Sequence, residues 1–159
     1  MSSQVLAMNH EEYGTADDYA RAFMIVIREG IPAKHATLLQ AHASAPGRTA
    51  SWTELAEAVG YANGPAVNLQ YGRLAHRVAR ELGVASPPHG FWLHVLADWA
   101  EGRDQLGHTR YILRQPVVDA AVRLGLVVAP TRYVRAAVFR AFVTAQNVPK
   151  SLENLIRPN

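Results

Sequence analysis

The stretch that decides the fold runs from Ser51 to Gly83 and has the sequence SWTELAEAVGYANGPAVNLQYGRLAHRVARELG. Ser51 and Glu54 have the S-x-x-E spacing of a capping box, which predicts that a helix begins at Trp52. Gly60 is placed to end that helix, because glycine readily adopts the left-handed conformation found after a helix C-terminus. The first part of the stretch therefore predicts a short, well-delimited helix.

A second, longer helix is predicted after a turn. Asn63-Gly64 is a turn signal, and Pro65 suits the first helical position. At helical spacing one face is apolar and the opposite face is basic. The apolar face carries Val67, Tyr71, Leu74, Val78 and Leu82, and the opposite one carries Leu69, Arg73, His76, Arg77 and Arg80. A short helix, a tight turn and a basic second helix predict a helix-turn-helix over residues 51–83.

Two aromatic and aliphatic runs after this unit predict a small hairpin. His108–Leu113 favours a strand, whereas Phe91–Trp99 fits either a strand or a helix, because its apolar residues suit both spacings. If both runs are strands, they form a wing over residues 91–114. Leu126–Val128 is a candidate for a brief third strand.

Further helices are predicted on both sides of this core. They are a helix from Ala16 to Glu29 with Ala20, Phe23, Met24 and Ile27 inward, one from Pro32 to Ala43, one from Pro116 to Leu124, one from Arg132 to Gln146, and a last frayed turn from Ser151. We expect an N-terminal arm over residues 1–14 and a single domain over residues 15–159, with its C-terminal helices within 116–156. The expected fold class is mostly α: a winged helix-turn-helix core with a small β-hairpin and flanking helices.

Composition sets limits on the function. The 159 residues are 49% hydrophobic and 18% charged, which suits one compact domain. The formal net charge is +3, which permits a polyanionic partner without requiring one. The chain contains no cysteine, so disulfides, Cys-ligated zinc and thiol nucleophiles are excluded. Neither a signal peptide nor a membrane-spanning run is evident, and we expect a cytoplasmic protein.

The core of the second helix also carries a family resemblance. The segment GYANGPAVNLQYGRLAHRVARELG resembles a module at the N-terminus of some bacterial HNH-type endonucleases and related stand-alone proteins. The matching pieces are Leu55–Gly83, Trp92–Trp99, Gly107-His108 and Arg114–Gly125, about the middle half of the chain. The resemblance implies DNA handling, associated with restriction. No HNH-like metal cluster follows the module, so we do not expect this chain to cut DNA.

A more distant resemblance is to the winged-helix domain of alkylguanine-DNA alkyltransferases and alkyltransferase-like proteins. It covers Gly47–Ala56, with Trp52 where that family has a tyrosine. The Pro-Cys-His-Arg motif of the family is missing, and without cysteine alkyl transfer is impossible. What the resemblance still implies is a DNA-facing helix beside a pocket lined by aromatic residues.

The candidate DNA contacts lie on the second helix and the wing. Asn68 and Gln70 carry amides that can pair with adenine, and Arg73 can pair with guanine. A row of Arg73, His76, Arg77 and Arg80 could bind phosphates. Arg103 and Arg110 are further candidates on the hairpin, beside His108. The alternatives are a local cap or turn for the amides and an ordinary solvated face for the row and the wing.

The aromatic residues suggest one further candidate site, whereas the histidines suggest none. Trp52 and Trp92, with Phe91 and Trp99, could line a pocket for an extruded base, but core packing explains large aromatic residues equally well. The histidines match no metal-binding pattern, and no cofactor motif is present. No enzyme constellation appears either.

The leading hypothesis is a non-catalytic protein that binds double-stranded DNA, senses modified or damaged DNA and recruits a nuclease or another protein partner. The alternative is a protein–protein interaction module, in which Leu69 and the C-terminal helix contact a partner. The oligomeric state is left open.

Overall fold

A computed structural model describes residues 13–129. This part of the chain is mostly helical, with five α-helices and a small three-stranded antiparallel sheet. In chain order the elements are α1 (Ala16–Glu29), α2 (Ala33–Ser44), β1 (Thr49–Ser51), α3 (Trp52–Val59), α4 (Gly64–Leu82), β2 (Ala97–Arg103), β3 (Thr109–Leu113) and α5 (Gln115–Arg123). Three short 3-10 turns cover Pro46–Arg48, Pro88–Gly90 and Trp92–Val95.

The predicted helix boundaries around the helix-turn-helix are confirmed, because local capping interactions set them. The Ser51 side chain accepts from the backbone N–H of Glu54, and the Glu54 carboxylate accepts from the Ser51 N–H at 2.7 Å. Gly60 follows α3 in the left-handed region, with φ of 84°. Asn63 caps α4 by accepting from the Ala66 N–H at 3.0 Å, which gives the predicted turn residue a capping role.

The sheet has the strand order β1-β3-β2, with both pairs antiparallel. β1 lies directly before α3, so the first strand and the helix-turn-helix are continuous in the chain. Thr49 pairs with Ile112 at one end of the sheet. The β2–β3 hairpin is irregular between Trp99 and Arg103, where the strand changes its register.

The core is built around α4. Its predicted apolar stripe is buried from Val67 to Val78 and partly buried at Leu82, and α1, α3 and the 3-10 turn Trp92–Val95 pack against α4. One buried histidine joins three elements within this core. His42 of α2 contacts the Tyr71 hydroxyl of α4 through Nδ1 at 3.0 Å and the Tyr111 carbonyl of β3 through Nε2 at 2.9 Å. Both ring nitrogens are thus satisfied without a charged partner.

Three predictions about the fold are wrong or incomplete. The third strand is β1, not Leu126–Val128, which is irregular chain after α5. Phe91–Trp99 is neither one strand nor one helix, since it divides into a 3-10 turn and the first residues of β2. Met24 is exposed, because α1 buries Tyr19, Ala22 and Val26 beside Ala20 and Phe23.

Several other predictions fall outside the described residues. They concern most of the arm, residues 1–12, and the C-terminal elements from residue 130 onward, including the helix predicted for Arg132–Gln146. Within residues 13–129, none of the helices has the length and apolar character needed to cross a membrane.

Candidate nucleic-acid interface

The outer face of α4 carries most of the predicted contact residues. Because Val67, Tyr71 and Leu74 face the core, the residues between them at helical spacing face solvent. The exposed side chains of this face are Asn68, Leu69, Arg73, His76 and Arg80. α4 therefore presents a mixed polar, basic and apolar surface, with its amide residue nearest the helix N-terminus.

Arg73 is the available cation of the predicted row. It is exposed, and among the residues described it forms no ion pair or side-chain hydrogen bond. Asn68 is likewise exposed, and within residues 13–129 its side chain has no hydrogen-bond partner. An extended guanidinium and an amide on one helix face are thus free to bind an external group.

Arg77 instead holds α1 and α4 together. Its guanidinium donates to the carbonyl of Gly30 at 2.9 Å and to that of Val26 at 3.1 Å. These carbonyls belong to the C-terminal turn of α1, whose last acceptors have no partner within the helix. Arg77 therefore supplies a cap for α1, and a phosphate contact would compete with this role.

Arg80 is paired with carboxylates. It donates to both oxygens of Glu29, at 2.8 and 3.0 Å, and to Glu81 at 2.9 Å. The Arg80 guanidinium holds the pKa of the Glu29 carboxyl below its usual range. The C-terminal half of the basic row is thereby neutralised locally, which leaves Arg73 as its strongest candidate for an external anion.

Gln70 is also engaged within the protein. Its side-chain oxygen lies 3.0 Å from Nε2 of His35 on α2, and the contact is partly buried. Burial lowers the pKa of His35 below its ordinary value, while the Gln70 bond opposes that shift. This arrangement matches the alternative of local bonding for Gln70 and makes Asn68 the better base-contact candidate.

A groove of about 320 Å³ runs between α4 and the segment from Gly90 to Leu93. Its walls include Asn68 and Arg73, and the ring of His76 stacks on Trp92 with centroids 4.3 Å apart. Two apolar side chains on its rim are unusually open: Leu69 is 54% exposed and Phe91 is 59% exposed. The groove thus combines hydrogen-bonding, cationic and aromatic groups in one surface.

The other predicted pocket residues do not join this groove. Trp52 stacks on Tyr111 with centroids 4.1 Å apart and meets the edge of Tyr71 at 5.9 Å. It therefore belongs to the packing between α3, α4 and the sheet. Trp99 lies on β2 against His94, at 4.2 Å, so the three tryptophans are placed at three separate positions.

The hairpin turn is attached to the start of α3. Asp104 accepts from the Ser51 hydroxyl at 2.6 Å and from the backbone N–H groups of Leu106 and His108, each at 2.9 Å. The His108 ring contacts the Thr53 hydroxyl at 3.0 Å. The first residue of α4 reaches the same place, because a Cβ on Gly64 would lie 3.3 Å from the Thr53 hydroxyl oxygen. The turn, α3 and α4 therefore converge on Thr53.

The two hairpin arginines differ in availability. Arg110 is paired with Glu54 at 3.2 Å and donates to the Thr49 carbonyl at 3.2 Å, so it fastens β3 to β1 and α3. Arg103 is exposed and donates only to neighbouring atoms of its own turn, the Gly107 carbonyl and the Thr109 hydroxyl. Of the two, Arg103 is better placed for an external phosphate.

Sequence reasoning missed Asp104 and Glu29, which organise the site. Both are acidic residues whose partners lie about fifty positions away in the chain. No local pattern links such residues, although the Asp at the start of a Gly-containing turn was a detectable signal for Asp104.

Within the described part of the chain, no group of three or more potential ligands could hold a metal ion. No protein-family model, curated protein or solved structure matches the chain. The similarity of Asn68–Gly72 and its surroundings to the endonuclease module stays a prediction.

Proposed function

We propose that this protein binds double-stranded DNA through a winged helix-turn-helix and that it recognises DNA without acting on it. The observation that carries the proposal is the order of elements around α4. A strand leads into α3, a tight turn leads into α4, and a hairpin follows, with the strand order β1-β3-β2. This order is the one expected of a helix-turn-helix followed by a wing.

The outer face of α4 has chemistry suited to a DNA groove. Asn68 lies in the first two turns of the helix, where recognition helices usually contact base edges. An asparagine amide can bond both the donor and the acceptor that adenine presents in the major groove. Arg73 lies farther along the same face and can bind a phosphate or a guanine. The proposal therefore places base contact on Asn68 and anion contact on Arg73.

The hairpin supplies a second point of contact. Because Asp104 fixes the turn to Ser51, the turn is held against the start of α3 rather than extended into solvent. Arg103 lies beside this turn with an exposed guanidinium. We assign it a phosphate contact next to the groove occupied by α4.

The groove beside α4 supports a role in sensing altered DNA. An unstacked or modified base could lie against Phe91 and the stacked pair of His76 and Trp92, since aromatic rings accept the faces of any base. Any chemistry on that base would come from a partner protein, because the chain has no cysteine for alkyl transfer.

A protein–protein interaction module is the second candidate. The specific observation in its favour is the exposure of Leu69 and Phe91 on the rim of one groove. Large apolar side chains that are exposed together are typical of interaction surfaces.

Fluorescence anisotropy with labelled duplexes distinguishes the two candidates. The duplexes should include unmodified, hemimethylated and alkylated DNA at about 50 mM salt, where phosphate contacts are strong. Binding that Arg73→Gln weakens about tenfold, while Arg28→Gln leaves it within about twofold, supports the proposal. Arg28 is a matched control because it is exposed at the end of α1 and loses the same charge. Absence of binding to every duplex would refute DNA binding and favour the interaction module.

A further inference from the structure

A second cavity lies at the end of the sheet away from the hairpin turn. It has a volume of about 210 Å³ and is lined by the last residues of β3, by the start of α5, and by Tyr13, Tyr19 and Arg48. β3 runs from Thr109 beside the turn to Leu113 at the cavity, a distance of about 13 Å at the rise of an extended strand. No residue lines both this cavity and the groove beside α4, so the two are separate.

Arg48 enters this cavity in an unusual state. Its Nε is buried and, among the described residues, has no hydrogen-bond partner; the side chain also forms no ion pair there. Arginine remains charged at any physiological pH, so a buried guanidinium nitrogen without an acceptor is costly. His42 is buried as well, and both of its ring nitrogens are already bonded, to Tyr71 and Tyr111.

The backbone of Arg48 is strained as well. Its φ is 55°, in the left-handed region that arginine rarely adopts. The bend is held by neighbours: the Arg48 N–H donates to the Ala45 carbonyl at 2.8 Å, and the Thr49 hydroxyl donates to the Gly47 carbonyl at 2.9 Å. Residues held in such conformations concentrate at ligand sites, where the strain positions a side chain.

The other residues that line the cavity indicate which kind of ligand it can bind. Arg114 contributes a second guanidinium, and Asp98 lies 3.9 Å from it. Arg48 and Arg114 are positively charged and Asp98 is negatively charged, so the described residues that line the cavity sum to one net positive charge. Apart from Gln115, the other lining residues are mainly apolar or aromatic, including Ile112 and Pro116. A strongly hydrated dianion such as phosphate suits such walls poorly, whereas a carboxylate with an apolar body satisfies both the charge and the walls.

We propose that this cavity binds a small organic carboxylate, with the carboxylate at Arg48 and the apolar part against Ile112 and Pro116. The volume is below the range of about 300–1,000 Å³ typical of drug-sized ligands, so the ligand is a small one. The proposal is independent of the DNA contact, because no residue of this cavity belongs to the outer face of α4.

The test uses benzoate as the probe, with acetate and inorganic phosphate as comparisons, on the full chain at constant ionic strength. Isothermal titration calorimetry should show saturable binding of benzoate and weaker or no binding of phosphate. Arg48→Gly should weaken benzoate binding by at least about tenfold. This variant keeps the fold, because glycine accepts the positive φ of position 48, and its melting temperature reports on that. Arg28→Gln, which removes a charge far from the cavity, should bind benzoate as the native chain does.

Three outcomes would overturn the proposal. They are no benzoate binding, benzoate binding that is unchanged in Arg48→Gly, and binding of phosphate in preference to benzoate.

Discussion

The Ser51 hydroxyl donates a hydrogen bond of 2.6 Å to the carboxylate of Asp104. One residue is the N-cap of α3 and the other opens the hairpin turn, so the bond joins α3 to the hairpin. The Asp104 side chain is only 4% exposed. This buried carboxylate therefore helps to hold the turn against the start of α3, beside the contact between His108 and Thr53.

Replacing this carboxylate should destabilise the protein in a pH-dependent way. Burial acts to raise the pKa of Asp104, but hydrogen bonds from Ser51 and from the backbone of His108 and Leu106 lower it to about 2. Because the folded pKa is depressed, the stabilisation is present above the unfolded pKa and is lost as the pH falls from about 4 to about 2. Asp104→Asn should lower the melting temperature at pH 7. It should also weaken the pH dependence of stability in that acidic range. If the melting temperatures of the native protein and the variant differed by the same amount at every pH from 5 to 2, the carboxylate would have no such role.

Acidification should also act through His42. Burial lowers the pKa of this histidine to about 4, opposed by its bond to the Tyr111 carbonyl. The neutral ring is favoured in the folded state, so stability is present above the unfolded pKa of about 6.5 and is lost as the pH falls towards 4. His42→Gln should be less stable at pH 7 but lose less stability between pH 6.5 and pH 4. The exposed His76→Gln is the matched control and should keep the native pH dependence.

The cap on α1 predicts different costs for two neighbouring arginines. Arg77→Ala should lower the free energy of unfolding by about 1–3 kcal/mol, since the carbonyls of Val26 and Gly30 lose their donor. Arg80→Ala should cost clearly less, because its ion pair with Glu29 is at the surface and is screened by solvent. Urea denaturation of the two variants measures both values. Equal costs would contradict the capping role.

Gly60 provides a test of the turn between α3 and α4. Its φ of 84° confirms the left-handed conformation predicted from the sequence. A Cβ at this position would meet no atom within 4 Å, so any cost of substitution is conformational. Gly60→Val should cost about 1 kcal/mol or more, whereas Gly60→Asn should cost less because asparagine tolerates this region. A melting temperature that is the same in Gly60→Val as in the native chain would be incompatible with this assignment.

The sequence predicted those features that local interactions determine. The capping residues of α3 and the apolar stripe of α4 lie within a few positions of the groups they act on, so short sequence patterns predict them. β1 was not predicted because it is three residues long and is defined by pairing with β3, sixty positions away. Leu126 resembled a strand residue because it is apolar, but it is buried after α5, with its N–H bonded to the Ala121 carbonyl.

The sequence predicted which residues form the candidate site, but it did not predict which of their side chains are already bonded within the protein. Helical spacing placed Arg73 and Arg80 on one face and Asn68 near the start of the helix, and the structure shows that all three residues are exposed. Spacing within α4 could not reveal that Arg80 pairs with Glu29 or that Arg77 donates to carbonyls at the end of α1. Both sets of partners come from a different helix or its C-terminal turn. Of the arginines in the predicted row, tertiary contacts therefore leave Arg73 as the best candidate for binding an external anion.

The salt dependence of duplex binding tests the proposed DNA contact of α4 most directly. Affinity should fall linearly on a plot of log K against log salt concentration, because each neutralised phosphate releases counterions. Arg73→Gln should reduce the magnitude of the slope by about 0.9, the value for one phosphate contact. Arg28→Gln should leave the slope unchanged. A native chain that binds no duplex at low salt, or a slope that is the same in Arg73→Gln as in the native protein, would contradict the proposed contact.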